Sequence, residues 1–116
     1  MMDVEDKWFK ASELEKSGRL REALRLYLEK AEMEEDPAMA AISFLSAARC
    51  AIKLGEMDRA LELFRAAGRK YEEVAEKVGE KSPNLLEWAY SMASRCYQLA
   101  GDRESSENVL SKIRKR

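Results

Sequence analysis

Residues 37–48 read Pro37-Ala38-Met39-Ala40-Ala41-Ile42-Ser43-Phe44-Leu45-Ser46-Ala47-Ala48, without one charged side chain in a chain that is 37% charged. Continued to Leu54, the stretch predicts a helix of about five turns that is apolar or small almost all round. Such a helix is normally buried on several sides, so it is expected at the centre with the other helices packed against it. Asp36-Pro37 marks its start: the carboxylate suits the N-cap, and proline in the first turn removes no donor that the helix needs. Gly55 marks its end, as a residue free to take the positive φ of a C-terminal turn.

The same punctuation recurs on both sides. Upstream, Asp3 is a plausible N-cap for a helix carrying Trp8, Ala11 and Leu14, which Gly18 closes. Leu20, Leu24, Tyr27 and Ala31 then recur at helical spacing to about Met33. The acidic cluster Glu32, Glu34, Glu35 and Asp36 follows, and because carboxylates are unfavourable at a helix C-terminus that end is expected to fray. Downstream, a helix from near Met57 carries Ala60, Phe64, Ala67, Tyr71, Val74 and Val78 in an unbroken stripe, and Gly79 terminates it. Gly68 lies on its flank at a cost of about 1 kcal/mol against alanine, which implies a close helix crossing there. Ser82-Pro83 repeats the Asp36-Pro37 pattern and opens a helix with Leu86, Tyr90, Ala93, Tyr97 and Ala100, closed by Gly101. A last helix, from about Arg103, offers only Val109, Leu110 and Ile113 to a core. No segment alternates as a strand would and no linker is rich in Gly, Ser or Pro, so residues 1–116 read as one all-α domain.

Composition narrows the function. Lys plus Arg number 21 against 22 Asp plus Glu, so no global field draws the chain to nucleic acid or membrane. The longest uncharged run falls far short of the roughly 20 residues that span a bilayer, and the acidic start lacks the pattern of a signal peptide. The expected location is cytoplasmic. Cys50 and Cys96 fall within apolar helical patterns and read as buried, reduced side chains. With no CxxC pair and no His at all, neither a zinc site nor the commonest acid–base catalyst is available. No Gly-rich phosphate loop is present either, so the chain is expected to be neither an enzyme nor a cofactor carrier.

The chain also repeats itself. Ala47-Ala48-Arg49-Cys50-Ala51-Ile52-Lys53-Leu54-Gly55 aligns with Ala93-Ser94-Arg95-Cys96-Tyr97-Gln98-Leu99-Ala100-Gly101, and Lys10 to Gly18 is a weaker copy. The units run Asp3 to Asp36, Pro37 to Ser82 and Pro83 to Arg116, the outer two of about 34 residues and the middle one about a dozen longer. Helix-turn-helix units of this length resemble the tetratricopeptide repeat. Phe44, Ala48, Ala51, Gly55, Ala60, Phe64 and Ala67 sit at that family's aromatic, small and glycine positions in the middle unit. The third unit supplies Tyr90, Ser94, Tyr97, Gly101, Ser106, Leu110 and Ile113. The first supplies Ala11, Leu14, Gly18, Ala23 and Tyr27, with Trp8 and Ala31 each one place out of register. The resemblance implies three antiparallel α-hairpins, six helices in all, stacked as a short right-handed solenoid. In its long middle hairpin the chain is similar to the soluble NSF attachment protein branch, which handles membrane-fusion complexes.

In the tetratricopeptide family the first helix of each unit lines a concave face where a peptide or partner helix binds. Transferred by alignment, that face takes Trp8 and Phe9 from the first unit, Ile42, Leu45, Arg49, Ile52 and Lys53 from the second, and Trp88, Met92 and Arg95 from the third. The apolar members read either as packing against neighbouring helices or as a groove filled by a partner segment. Arg49 and Arg95 read either as solvated or locally ion-paired, or as a fork for an acidic group of the partner. Ser12 stands where relatives that clamp acidic chaperone tails carry an asparagine, so that activity is not expected. The expected function is a protein-interaction adaptor for a protein or peptide partner. A self-associating homodimer is the first alternative, and a nucleic-acid accessory using Lys112-Ile113-Arg114-Lys115-Arg116 the second.

Asn84, Gln98 and Asn108 are the only amides among abundant Glu, Lys and Arg, a profile typical of thermophiles. Calorimetry is therefore expected to give an unfolding midpoint above roughly 65 °C, the upper end of the mesophilic range; a midpoint inside that range removes the thermophile reading.

Overall fold

The computed structural model describes residues 4–115, and all of its elements are helical. They are α1 (Val4–Lys16), α2 (Leu20–Met33), α3 (Pro37–Lys53), α4 (Met57–Val78), α5 (Pro83–Leu99) and α6 (Arg103–Arg114), with a 3₁₀ turn at Gly79–Lys81 between α4 and α5. The N-cap expected at Asp3 lies outside the described residues.

One turn is used three times. At the end of α3, Gly55 has a φ of +79°. Its N–H bonds to the Ile52 carbonyl at 2.9 Å, and the Glu56 N–H reaches back to the Ala51 carbonyl at 2.9 Å. This paired closure satisfies carbonyls that the helix leaves open, and it requires a residue without a Cβ at the positive φ. Gly18 and Gly101 repeat it: Arg19 N–H bonds to Leu14 O and Asp102 N–H to Tyr97 O, each at 2.9 Å. In every case the next helix begins two residues beyond the glycine.

The starts of the odd-numbered helices differ more than their sequences suggest. Asp36 caps α3 as expected, its Oδ1 accepting from Ala38 N–H at 3.0 Å. Ser82 makes no such bond to α5. The 3₁₀ turn leads directly into Ser82 and Pro83, and proline alone sets the first turn of α5. At the other end of the acidic cluster, α2 holds to Met33, with Glu34 N–H bonded to Lys30 O at 3.0 Å.

Each helix packs against the next one in the chain. The result is a slab of 45 × 30 × 17 Å, about two helices thick. It holds two cores that share α3. Ala11, Leu14, Leu24, Tyr27, Ala48, Ala51 and Ala60 belong to one. Ala41, Ala67, Tyr71, Leu86, Ala89, Ala93, Tyr97 and Val109 belong to the other. Phe44 packs against both. The charge-free stretch thus contributes to both cores, as does α4 through Ala60 on one and Ala67 and Tyr71 on the other. Alanine at so many buried positions lets helix axes approach closely, while Tyr27 and Tyr97 fill the gaps between them.

Units are also tied at their turns. Glu56, beside Gly55, pairs with Arg21 of α2. Asp102, beside Gly101, pairs with Arg65 of α4 at 3.2 Å. Both bonds link the second helix of one unit to the turn of the next.

Gly68 has the close crossing its sequence implies: a Cβ built there would lie 2.9 Å from Cε1 of Tyr97 on α5. Tyr97 is buried and its hydroxyl is held by Glu72, so the ring has little room to move away. Gly68→Ala is expected to destabilise by about 1–2 kcal/mol despite alanine's better helix propensity, because overpacking exceeds the gain. Thermal or denaturant unfolding checks this; a more stable variant means that Tyr97 yields.

Candidate functional site

The sequence-predicted residues divide into three groups. Leu45 and Met92 are half-buried and pack against the second core, so they belong to the interior of the fold. Arg49 and Lys53 are claimed by a charge cluster. Trp8, Phe9 and Ile42 come together around an open cleft. Trp88 remains 43% exposed, with its ring edge-on to Tyr71 at 5.7 Å, and Ile52 stands exposed on α3.

The charge cluster is centred on Glu15 of α1. Arg49 of α3 grips it with both arms of the guanidinium, Nε to Oε2 at 2.6 Å and Nη2 to Oε1 at 2.7 Å. Lys53 donates to Oε2 at 3.1 Å, and the Tyr27 hydroxyl donates to Oε1 at 2.9 Å. The Glu15 side chain is only 10% exposed. The Arg49 fork above all, aided by Lys53 and Tyr27, holds its carboxyl down to about 2 against the opposing effect of burial. Burial first, and then the hydrogen bond to Glu15, pushes the Tyr27 phenol up to about 12. The Glu15 bond likewise raises the Arg49 guanidinium further above its usual range.

Arg49 therefore takes the local ion-pair reading. Arg95, its counterpart in the repeat, is exposed and makes no ion pair with any described residue. The alignment explains the difference: counted back from the turn glycine, Glu15 corresponds to Ile52 in the second unit. Arg95 has no acidic neighbour of the kind that holds Arg49, so the two arginines match in sequence but not in environment.

The cleft lies between α1, the end of α2 and the start of α3, with a volume of about 470 Å³. Its lining is mostly apolar: Trp8 and Phe9 from α1, Met39 and Ile42 from α3. Phe9 is 65% exposed, and its ring meets Trp8 edge to face at 5.7 Å. Met39 and Ile42 are each 42% exposed. Two charged residues complete the lining, Lys30 and Glu34. Lys30 is only 3% exposed, and its ammonium pairs with Glu34 Oε1 at 3.4 Å. Glu34 also accepts the Asp36 N–H at 3.2 Å, which fixes the loop at the cleft's rim.

Sequence reading missed Met39 and Lys30. Both had a signal. Met39 lies three residues before Ile42, on the same helix face, and Lys30 falls on the apolar stripe of α2 three residues after Tyr27.

The basic C-terminal segment is partly engaged within the fold. Lys112 pairs with Glu72 at 3.4 Å and sits over the Tyr90 ring at 5.7 Å. Arg114 and Lys115 are exposed. Among the described residues no helix is long and apolar enough to cross a membrane, and no group of His, Cys, Asp and Glu is arranged to hold a metal.

No protein-family model matches the sequence, and neither a curated protein nor a solved structure matches it. The tetratricopeptide resemblance therefore rests on this chain's own residues.

The Glu15 cluster has a defined pH signature. The carboxyl's folded-state value of about 2 lies below its ordinary 4.5, so the stability it contributes is complete above about pH 4.5 and is lost as pH falls toward 2. Glu15→Gln is expected to cost about 1–2 kcal/mol at neutral pH, between the values for exposed and buried pairs, because Arg49 and Lys53 are each half exposed. The gap between the two proteins should narrow steadily on acidification from about pH 4.5. A gap independent of pH would mean that Glu15 acts through packing rather than charge.

Proposed function

We propose that the chain is a non-enzymatic protein-interaction module of tetratricopeptide-like design, a short stack of three α-hairpins that receives a partner segment in the cleft between α1 and α3. The observation that carries this reading is the cleft itself. Phe9, Met39 and Ile42 remain open to solvent on α1 and α3 beside a half-buried Trp8, where packing within one chain would be expected to cover them. Aromatic and flexible thioether side chains are also the types that anchor partner segments.

Support for the stack comes from the register of the seam between α1 and α3. Trp8 and Ile42 share the cleft, and Glu15 bonds to Arg49, so each meeting pair is separated by 34 residues. A constant offset along the seam fits α1 and α3 running in the same direction, as the first helices of successive hairpins do. The thrice-used glycine turn gives each unit the same internal connection.

Self-association is the second reading. Leu85, Trp88 and Leu99 of α5 are also between 43% and 51% exposed, which extends the apolar surface beyond the cleft. Sedimentation equilibrium separates the two: a chain that stays monomeric at micromolar concentration leaves the partner reading alone.

Phe9→Asp and Ile42→Asp are expected to abolish recovery of co-purifying protein while leaving helicity and unfolding midpoint nearly unchanged, since both side chains are largely exposed. Arg103→Glu, on α6 and 92% exposed, serves as a surface control and should retain the partner. Full recovery by both cleft variants would remove the cleft from the function.

A further inference from the structure

The cleft between α1, α2 and α3 has one polar feature that apolar docking leaves unused. Lys30 of α2 lines it and is only 3% exposed. A buried ammonium carries three N–H donors, and donors without an acceptor are costly. Among the described residues Lys30 has one acceptor, Glu34 Oε1 at 3.4 Å. That is well beyond the roughly 2.7–2.9 Å of a close charge-assisted bond, so the ammonium is under-satisfied. Glu34 is occupied on both oxygens, since Oε2 accepts the Asp36 N–H at 3.2 Å. This wall of the cleft therefore has donors to spare, and its two charges cancel.

That balance sorts the possible occupants. A cation meets the Lys30 ammonium. A carboxylate adds a second negative charge where one ammonium already faces one carboxylate, in a place where charge is expensive to desolvate. An uncharged acceptor uses the spare donors and leaves the balance intact. The remaining lining, Trp8, Phe9, Met39 and Ile42, suits a flat apolar body through ring and thioether contacts. At about 470 Å³ the cleft falls within the roughly 300–1,000 Å³ of small-molecule sites, which likewise join an apolar lining to a few placed polar groups.

We infer that the cleft is a small-molecule site for an uncharged aromatic ligand whose carbonyl accepts a hydrogen bond from Lys30. The ring lies among Trp8, Phe9, Met39 and Ile42, and the carbonyl stands on the α2 side. This goes beyond the docking of a partner segment and does not depend on it. Both occupants use the same walls, so either one excludes the other.

The test uses the full chain, isotopically labelled at its methionine and isoleucine methyl groups and titrated in NMR with acetophenone, ethylbenzene, benzoate and benzylamine. The Met39 and Ile42 methyls report on the cleft directly. Acetophenone and ethylbenzene match in size, so the ratio of their affinities isolates the carbonyl. That ratio is expected to fall about tenfold in Lys30→Met, the effect of one bond to a charged donor. Benzoate and benzylamine should bind more weakly than acetophenone. Lys30→Met keeps an unbranched side chain and removes a buried charge; circular dichroism and the unfolding midpoint verify its fold. Ile42→Ser, at an exposed position, should weaken every probe that binds, and it tests the cleft even if Lys30→Met does not fold.

An unchanged ratio in Lys30→Met overturns the role of Lys30. Benzoate binding as tightly as acetophenone overturns the preference for an uncharged ligand. If no probe moves the Met39 and Ile42 methyls at millimolar concentration, or if Ile42→Ser changes nothing, the cleft is not a small-molecule site. Recovery of a partner protein without probe binding would leave the docking function standing, so the two readings fail separately.

Discussion

The architecture depends on one backbone constraint, the positive φ that Gly18, Gly55 and Gly101 each adopt where the first helix of a unit closes. Residues with a Cβ reach this conformation only with strain, so the three glycines fix where α1, α3 and α5 stop. The following helix begins two residues later each time, which gives successive helix pairs the same connection. Neighbouring units can then be joined in the same way, through Arg21 to Glu56 and Arg65 to Asp102. What the three turns share is local: the same hydrogen bonds close α1, α3 and α5.

Close packing follows from what lies between those turns. Alanine occupies α3 at Ala40, Ala41, Ala47, Ala48 and Ala51, all fully buried. With so little side-chain bulk, α3 packs against both α2 and α4, its start at Ala41 in one core and its later residues Ala47 to Ala51 in the other. The large side chains that give those cores volume, Tyr27 and Tyr97, also place a hydroxyl against a carboxylate, Glu15 and Glu72 respectively. Each tyrosine thus fills apolar space and satisfies its polar end at the edge.

These features differ in how far the sequence discloses them. Helix limits and the central role of α3 are legible because they follow from local signals, glycine, proline and the spacing of apolar residues. The cap at Ser82 was misjudged because a cap depends on the chain's approach, and here a 3₁₀ turn delivers the backbone with the hydroxyl unused. The site is less legible. Arg49 and Arg95 occupy matching repeat positions, yet Glu15 of α1 holds Arg49 while Arg95 stands exposed. A charged surface residue finds its partner through three-dimensional register, which single-helix periodicity does not contain. Trp8, Phe9 and Ile42 line one cleft, while Leu45 and Met92, chosen by the same rule, pack against the second core. The rule gives a helix face to within a turn, and the boundary between core and cleft falls inside that turn.

The seam between α1 and α3 has two unlike ends. Seven residues along both helices, about 10 Å, separate the open cleft from the Glu15 cluster. At the closed end, two cations and a phenol converge on one nearly buried carboxylate, and bidentate geometry fixes the relative position of the helices. At the open end the cleft is lined chiefly by two aromatic rings, a methionine and an isoleucine. A cleft whose walls moved independently would lose affinity to the ordering of those walls on binding. Locking the seam at one end holds the walls apart at a set distance while leaving the other end unfilled. On the docking function proposed above, the ion cluster would have a role that its modest net stability does not measure, pre-organising a surface that it does not itself touch.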